Sequence, residues 1–438
     1  MNVQGATVEE KRKIAILGGV RIPFARQNTS YTTNSNVDML ATTLQALAQR
    51  FNLRGERLGE VAAGAVLKHT RDFNLTRESV LASGLAPQTP AYDVQQACAT
   101  SLETTLLVGN KIGMGQIEAG IAGGVDSASD APVAISEALR SVVLRLNRAK
   151  TTSERLRVLA TLRPGMLLPS VPNVNERASG LSMGEHCELM VKEWSIGREE
   201  QDALALASHR NGIAAYEAGF YDDLVVPFQG LSRDNNLRPD TSMDKLSRLK
   251  PVYDFSGAGT LTAGNSTPLT DGASAVLLSS LDWARSRGIA VQAWIRDAET
   301  AAVEYVGPHA EGLLMAPAYA VPRLLARNGL TLQDFDYYEV HEAFAGQVLC
   351  TLKAWESVDY CRDRLGLAAP LGPIDRSRLN VRGGSVGLGH PFAATGTRIV
   401  AAAAKQLALH RASTGSPART LVSVCAAGGV GVTAILEA

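Results

Sequence analysis

Ile121-Ala122-Gly123-Gly124-Val125 closes an apolar run that begins near Gln116, and the chain returns to almost the same words in Cys425-Ala426-Ala427-Gly428-Gly429-Val430. Each run is short, apolar and ended by paired glycines, the pattern of a buried strand entering a tight turn. A second echo lies upstream of each. Glu60-Val61 and Glu339-Val340 stand 279 residues apart, each approached through a Leu-x-x-x-x-x-x-Glu-Val segment. Before them come matching helical stretches, Ala41–Phe51 and Ala316–Asn328. Echoes at so long an offset indicate duplication of one α/β unit, and a site at the junction would draw residues from both copies.

Around these echoes the rest of the chain falls into place. Lys13–Val20 reads as a buried strand, Asn36–Phe51 as a helix (Met39, Leu40, Leu44, Leu47), and Glu60–Val66 and Gln116–Gly124 as further strands. Their alternation predicts a mostly parallel sheet covered on both faces. Between the copies the texture changes. In Leu139–Leu168, Arg140, Arg145, Arg148, Lys150, Arg155, Arg157 and Arg163 alternate with leucines. Pro164-Gly165 and Pro169 through Pro172 break that pattern, and helices follow around Ser182–Lys192 and Arg198–Ala218. The expected fold class is therefore α/β, with duplicated units packed in layers and an inserted loop/helix subdomain. Residues 1–130 plus 251–290 form the first half, 131–250 the insert and 291–438 the second half.

At 438 residues, 45% apolar and 20% charged, the chain has room for a large core. Its 43 basic and 43 acidic residues balance, so no global field points to nucleic acid. The five cysteines (98, 187, 350, 361, 425) are odd in number and scattered, which argues against a disulfide framework and suits a reducing compartment. Met1–Lys13 carries Glu9 and Glu10 without an apolar h-region, and no stretch approaches a membrane span. The expected location is cytoplasmic.

Four polar residues carry the chemistry. Cys98, in Asp93-Val94-Gln95-Gln96-Ala97-Cys98-Ala99-Thr100-Ser101, sits where an apolar stretch gives way to a helix start. Free N–H groups and the helix dipole there would favour a thiolate. A lone cysteine is more often inert, and the caspase-type signature is excluded because Ala99-Thr100 follows where that family needs Arg, Gln or Gly and then Gly. A nucleophile needs a base, and His390 in Gly387-Leu388-Gly389-His390-Pro391 fits. It stands on a glycine-rich turn, with Pro391 suited to the first helical position of an Ala-rich helix to Leu409. His341 follows the strand Tyr337–Val340, at a strand end of the kind where α/β folds place ligands. Cys425 ends Leu421-Val422-Ser423-Val424 before small residues whose N–H groups could face an oxyanion. A thiol there can act as general acid and base. Suitably spaced carboxylates are missing beside the histidines, so no metal is expected.

This constellation resembles the thiolase superfamily over essentially the whole chain from Arg21-Ile22-Pro23-Phe24 onward. The matches are the Cys98 segment, Ala122-Gly123-Gly124 with Ser129 and Pro132, Met183-Gly184 and Thr262-Ala263-Gly264-Asn265. They continue with His341-Glu342-Ala343-Phe344, Gly389-His390-Pro391 and Cys425 with Gly428-Gly429. Most members carry Asn where this chain has His341. The histidine, the Cys-Ala-Ala-Gly-Gly form and the basic insert resemble the thiolase (β) subunit of the fatty-acid β-oxidation trifunctional complex and its bacterial relatives. Asp126 stands where Glu is usual, Ala128 where Met is usual and Ala427 where Gly is usual.

The resemblance implies an acyl-CoA:acetyl-CoA C-acyltransferase that cleaves 3-ketoacyl-CoA to acetyl-CoA and a shortened acyl-CoA in β-oxidation. Cys98, aided by His390, would become acylated, and the N–H groups of Cys98 and Ala427 would form one oxyanion hole. His390 and His341 would form the second, at the acetyl-CoA enolate, while Cys425 moves the proton. Met183, Thr267 and Phe344 match positions lining the substrate and CoA. Coenzyme A is a substrate, and no tightly bound cofactor is implied. The partners implied are acyl-CoA, CoA and a second copy of the chain in a homodimer. The insert has three readings: a cover on the CoA site, an amphipathic segment (Leu139–Leu168) touching membrane peripherally, and a docking surface for a hydratase/dehydrogenase α subunit. The expectation is that the last two both hold in part.

Three rivals remain. A short-chain acetyl-CoA C-acetyltransferase (acetoacetyl-CoA thiolase) shares the chemistry, but the insert and His341 lean away from it. A decarboxylating condensing enzyme would place histidine in the role of Cys425. A non-enzymatic CoA- or lipid-binding module would have no need of all four polar residues.

Overall fold

The computed structural model describes residues 12–170 and 175–438. Most of the Met1–Lys13 leader reading, and Pro172, lie outside them. In chain order the strands are β1 (Ile14–Arg21), β2 (Ala25–Arg26), β3 (Glu60–Ala63), β4 (Ala91–Asp93), β5 (Ala119–Ser127) and β6 (Ala134–Ile135). They continue as β7 (Pro169–Ser170), β8 (Thr270–Ser279), β9 (Ala293–Ala302), β10 (Tyr337–Val340), β11 (Arg419–Ala426) and β12 (Val430–Glu437). One large sheet runs β10-β11-β12-β9-β1-β8-β5-β3-β4, with β2 on β8 and β6 paired with β7 apart from it.

β5 and β8 are buried along their whole length, and their alternate residues serve two cores because strand side chains alternate in direction. Ile121, Val125, Ala275 and Leu277 pack with Leu40, Leu44 and Leu47 of the helix Asn36–Arg50. Ala122, Val276 and Leu278 face the other way, onto Leu102 of the helix Thr100–Gly113 and Ile399 and Val400 of the helix Thr395–Thr414. The second half repeats this. Leu421 and Ile435 pack on Val321, Leu324 and Leu325 of the helix Ala316–Asn328, while Val422, Val424 and Val432 join the same central helices. The layers run helix, half-sheet, central helix pair, half-sheet, helix, the two halves of the one sheet being joined where β1 pairs with β9.

The expected mostly parallel sheet is a mixed one. Five of the eight adjacent pairings along the path are antiparallel. Buried strands read as continuous apolar runs in either sense, so hydrophobicity carried no direction. Only the three-residue link between β11 and β12 forces antiparallel pairing.

Duplication is visible in the pairing senses. β3-β5 is parallel and β5-β8 and β8-β1 antiparallel; β10-β11 is parallel and β11-β12 and β12-β9 antiparallel. The parallel outer strand β4 has its counterpart in a single parallel bridge, Tyr338 to Leu379. The Glu60/Glu339 echo thus marks equivalent strands, β3 and β10. The Gly-Gly echo does not match residue for residue: Gly123-Gly124 lie inside β5, whereas Gly428-Gly429 lie in the turn beyond β11.

Between β5 and β8 lie the helices Glu137–Arg148, Thr152–Leu159, Met183–Glu193, Arg198–Glu217 and Met243–Ser247. A buried Arg21–Asp234 ion pair, with the Tyr216 hydroxyl donating to Asp234 at 2.9 Å, ties this region to β1. Helix Glu137–Arg148 buries only Val142, and Thr152–Leu159 buries nothing. Leu144, Leu156 (61% exposed) and Leu159 face outward, while Leu139 and Leu146 are half-buried. No helix among the described residues is long and apolar enough to cross a membrane.

Candidate active site

The duplication brings the Cys98 and His390 segments to equivalent places. Cys98 follows β4 and His390 follows the Leu379 bridge, and each chain segment then enters one of the two central helices. Those helices touch backbone to backbone. A Cβ at Gly396 would lie 2.2 Å from the Leu102 nitrogen, so only glycine lets them approach this closely.

Cys98 sits in the single 3-10 turn Ala97–Ala99 ahead of the helix. Ala97 has φ of +46°, a conformation costing on the order of 1 kcal/mol. Thr100 braces it: its Oγ1 donates to the Ala97 carbonyl at 2.7 Å and accepts from the Gln96 N–H at 2.9 Å. The His390 N–H donates to Thr270 Oγ1 at 2.9 Å, its Nδ1 meets Thr395 Oγ1 at 2.6 Å, and its Nε2 lies 3.1 Å from Cys98 Sγ. Pro391 does not open an α-helix as expected. It caps the 3-10 turn Phe392–Ala394, and the helix proper begins at Thr395.

His341 leaves β10 with its N–H on the Ser423 carbonyl of β11 at 2.8 Å. Its ring is buried, 4.1 Å centroid to centroid from that of His390. Nδ1 meets Ser385 Oγ at 2.9 Å, and Nε2 has no hydrogen-bond partner. Cys425, near the end of β11, is buried and close enough to Cys98 for a charge on the Cys98 sulfur to oppose its own ionisation. The turn after it aims the Ala427 N–H at the Cys98 sulfur, beside the N–H of Cys98 itself.

Electrostatics corrects one expectation. Burial pushes the Cys98 thiol up to about 12, outweighing the two N–H groups that favour the thiolate. Burial, then the nearby Arg398 cation, brings His390 down to about 3. His341 is driven well down by burial, His390 and Arg398, and Cys425 well up by burial and Cys98. Burial thus favours neutral thiols and neutral imidazoles in the resting site, with His390 Nε2 placed to accept a proton from the Cys98 sulfur.

Met183 opens a helix and packs in one apolar cluster with Phe344, Tyr253 and Cys425. Phe344 bridges to Ser266, and Thr267 is pinned to the Ala343 carbonyl through both its N–H and its hydroxyl, each at 3.1 Å. Cys425 and the His341–Phe344 segment thus join the Met183 and Thr267 surroundings to the Cys98–His390 pair.

Other contributors were given no role by the sequence. Glu342 is buried and accepts from Ser208 Oγ (2.7 Å), Asn380 Nδ2 (2.5 Å) and the Val386 N–H (3.1 Å). It clamps the Gly384–Leu388 segment that carries Ser385, and Gly384 has no room for a Cβ against its carboxylate. Asp126, the shorter acid, still accepts from the N–H groups of Val66, Leu67 and Ala393. Thr395 and Ser385 stand five residues either side of His390. Nothing in an isolated sequence separates them from ordinary capping or small residues.

Cys98 Sγ and the nitrogens of His341 and His390 lie within 4.8 Å of one another. Such a soft donor set would also accept a divalent ion such as zinc. The hydroxyls on both Nδ1 atoms serve an acid–base pair equally well.

Comparison with known proteins finds relatives over nearly the whole chain. The family profile "Thiolase, N-terminal domain" matches residues 14–282 and "Thiolase, C-terminal domain" residues 294–438. A 3-ketoacyl-CoA thiolase of Pectobacterium atrosepticum is 41% identical, covering 97% of this chain and 96% of its own. The crystal structure of the Bacillus anthracis acetyl-CoA acetyltransferase superposes with a TM-score of 0.79 at 27% identity, over 98% of this chain and 99% of its own. A thiolase from Ascaris suum, in complex with coenzyme A, does so at 0.78 and 25% identity, over 97% of this chain and all of its own.

Proposed function

The chain belongs to the thiolase family, and from that premise we propose that Cys98, His390, Cys425 and His341 carry out its reaction. It cleaves 3-ketoacyl-CoA thiolytically, releasing acetyl-CoA and an acyl-CoA two carbons shorter. The Cys98 sulfur attacks C3 as its proton moves to His390 Nε2. The alkoxide lies on the N–H groups of Cys98 and Ala427. The C2–C3 bond then breaks, leaving acyl-Cys98 and the acetyl-CoA enolate. The enolate oxygen faces His341 Nε2 and His390 Nε2, and the Cys425 thiol protonates C2. After acetyl-CoA leaves, the Cys425 thiolate takes the proton of incoming CoA. The CoA sulfur displaces Cys98, which recovers its proton from His390.

The observation that carries these assignments is the 3.1 Å His390 Nε2–Cys98 Sγ contact with the Ala427 N–H on the same sulfur. The test is CoA-dependent thiolysis of 3-ketoacyl-CoAs from four to sixteen carbons, with Cys98→Ala as control. Residual turnover in that variant above the uncatalysed rate would refute the nucleophile. Rates rising toward long chains support a place in fatty-acid β-oxidation; activity confined to acetoacetyl-CoA refutes it in favour of the short-chain enzyme.

Coenzyme A enters as a substrate past Met183, Thr267 and Phe344. A cavity of about 180 Å³ lined by Arg26, Arg238, Lys245, Ser266 and Val386 lies next to Thr267, and its cations suit the CoA phosphates. The working form is a cytoplasmic homodimer. The outward-facing leucines and arginines of Glu137–Arg148 and Thr152–Leu159 support contact with an anionic membrane and a hydratase/dehydrogenase subunit. For the domains, 1–130 with 251–290, 131–250 and 291–438 remain the division proposed.

A further inference from the structure

Two cysteines and two histidines account for the four reacting groups, yet a buried cation stands behind the histidines with no part in that chemistry. Arg398 lies on the central helix Thr395–Thr414, eight residues beyond His390, and is 3% exposed. Its Nη2 donates to Ser385 Oγ at 2.8 Å, and that same oxygen is 2.9 Å from His341 Nδ1. These are the hydrogen bonds Ser385 Oγ makes, so the direction of each can be worked out. Arginine has no acceptor, so the hydroxyl proton cannot go to Arg398. It goes to His341 Nδ1, which must be the unprotonated nitrogen of a neutral imidazole. The ring proton is then on Nε2, the buried atom with no partner in the protein.

We propose that Arg398 and Ser385 are positioning residues that fix His341 in its Nε2–H tautomer, so that a hydrogen-bond donor faces the enolate oxygen. The opposite tautomer would present a lone pair to a developing negative charge and repel it. Arg398 also holds His341 neutral, because an imidazolium would sit against a permanent cation. Glu339 and Glu342 are the buried carboxylates that balance Arg398. A buried unpaired donor is costly in the empty enzyme, and that cost is relieved only when an acceptor arrives. The inference rests on the proposed role of His341 in the second oxyanion hole.

The test separates two half-reactions. Exchange of labelled CoA into acetyl-CoA passes through acetyl-Cys98 and needs the Cys98 and Ala427 N–H groups but no enolate. Thiolysis needs both. Ser385→Ala removes one hydroxyl from a buried site and should lower thiolysis about 10²-fold, the usual loss for an oxyanion-hole donor, with exchange within about threefold of wild type. His341→Ala is the reference. If its thiolysis-to-exchange ratio falls and that of Ser385→Ala does not, the positioning role is overturned while His341 keeps its place. If neither ratio moves, the oxyanion role of His341 fails first. Selective ¹⁵N-histidine labelling of the whole enzyme supplies a second reading, with the His341 signals assigned by their loss in His341→Asn. A protonated Nε2 and an unprotonated Nδ1 support the inference; an Nδ1–H tautomer or an imidazolium overturns it.

Discussion

Replacing Gly396 by alanine should cripple catalysis from a position that touches no substrate. The added Cβ would stand 2.2 Å from the Leu102 nitrogen and 2.9 Å from its Cα and Cβ. Ordinary contact begins near 3.4 Å, so the central helices must part by about 1 Å. The obstructing atoms are backbone, so no side-chain rotation relieves the clash. Cys98 and His390 ride at the starts of those two helices, 3.1 Å apart. A separation growing toward 4 Å breaks their hydrogen bond, and a displacement of this size costs on the order of 10²-fold in rate. Overpacking adds about 1–3 kcal/mol of destabilisation. The assay pairs kcat for thiolysis with the urea midpoint, for Gly396→Ala and for the control Gly197→Ala, whose Cβ meets nothing within 4 Å. Wild-type kcat in a folded Gly396→Ala would refute the reasoning that helix contact sets the Cys–His distance.

Three other expectations follow from the same geometry. Glu342→Ala strands the Ser208 hydroxyl, an Asn380 N–H and the Val386 N–H. At about 1 kcal/mol or more each, stability should fall by roughly 3 kcal/mol in urea unfolding, with kcat falling as Ser385 loses its support. Loss of neither would show the clamp to be idle. The buried histidines His390 and His209 are held near 3 and near 4 by burial. The unfolded chain binds protons there first, so stability is full above about pH 6.5 and lost as pH falls toward those values. Between pH 6.5 and 5 each contributes about 2 kcal/mol of that loss, and His209→Gln should flatten the acid limb of the unfolding curve. Co-sedimentation with anionic liposomes should drop when Arg145, Arg148 and Arg157 are neutralised, and unchanged binding would remove the membrane role of the insert.

The candidate site was legible in the sequence because cysteine and histidine are rare residue types and stand out in small-residue surroundings. Cys98, His341, His390 and Cys425 could be picked out one by one, and so could the helices, whose period survives in a single chain. What supports those groups was not legible. Ser385, Thr395, Thr270 and Arg398 are common residues whose meaning is a distance to something far away in sequence, such as the 2.8 Å from Arg398 to Ser385 oxygen.

By itself, then, the sequence determined the duplication and the α/β class and singled out the groups proposed to react, because local pattern and residue chemistry travel with the chain. Strand direction, the residue-level register of the two halves and the protonation of the site were decided only in three dimensions. A strand's sense depends on its partner. The dipole expected to ionise Cys98 is a local effect, and it is overruled by desolvation, which belongs to the whole packed interior.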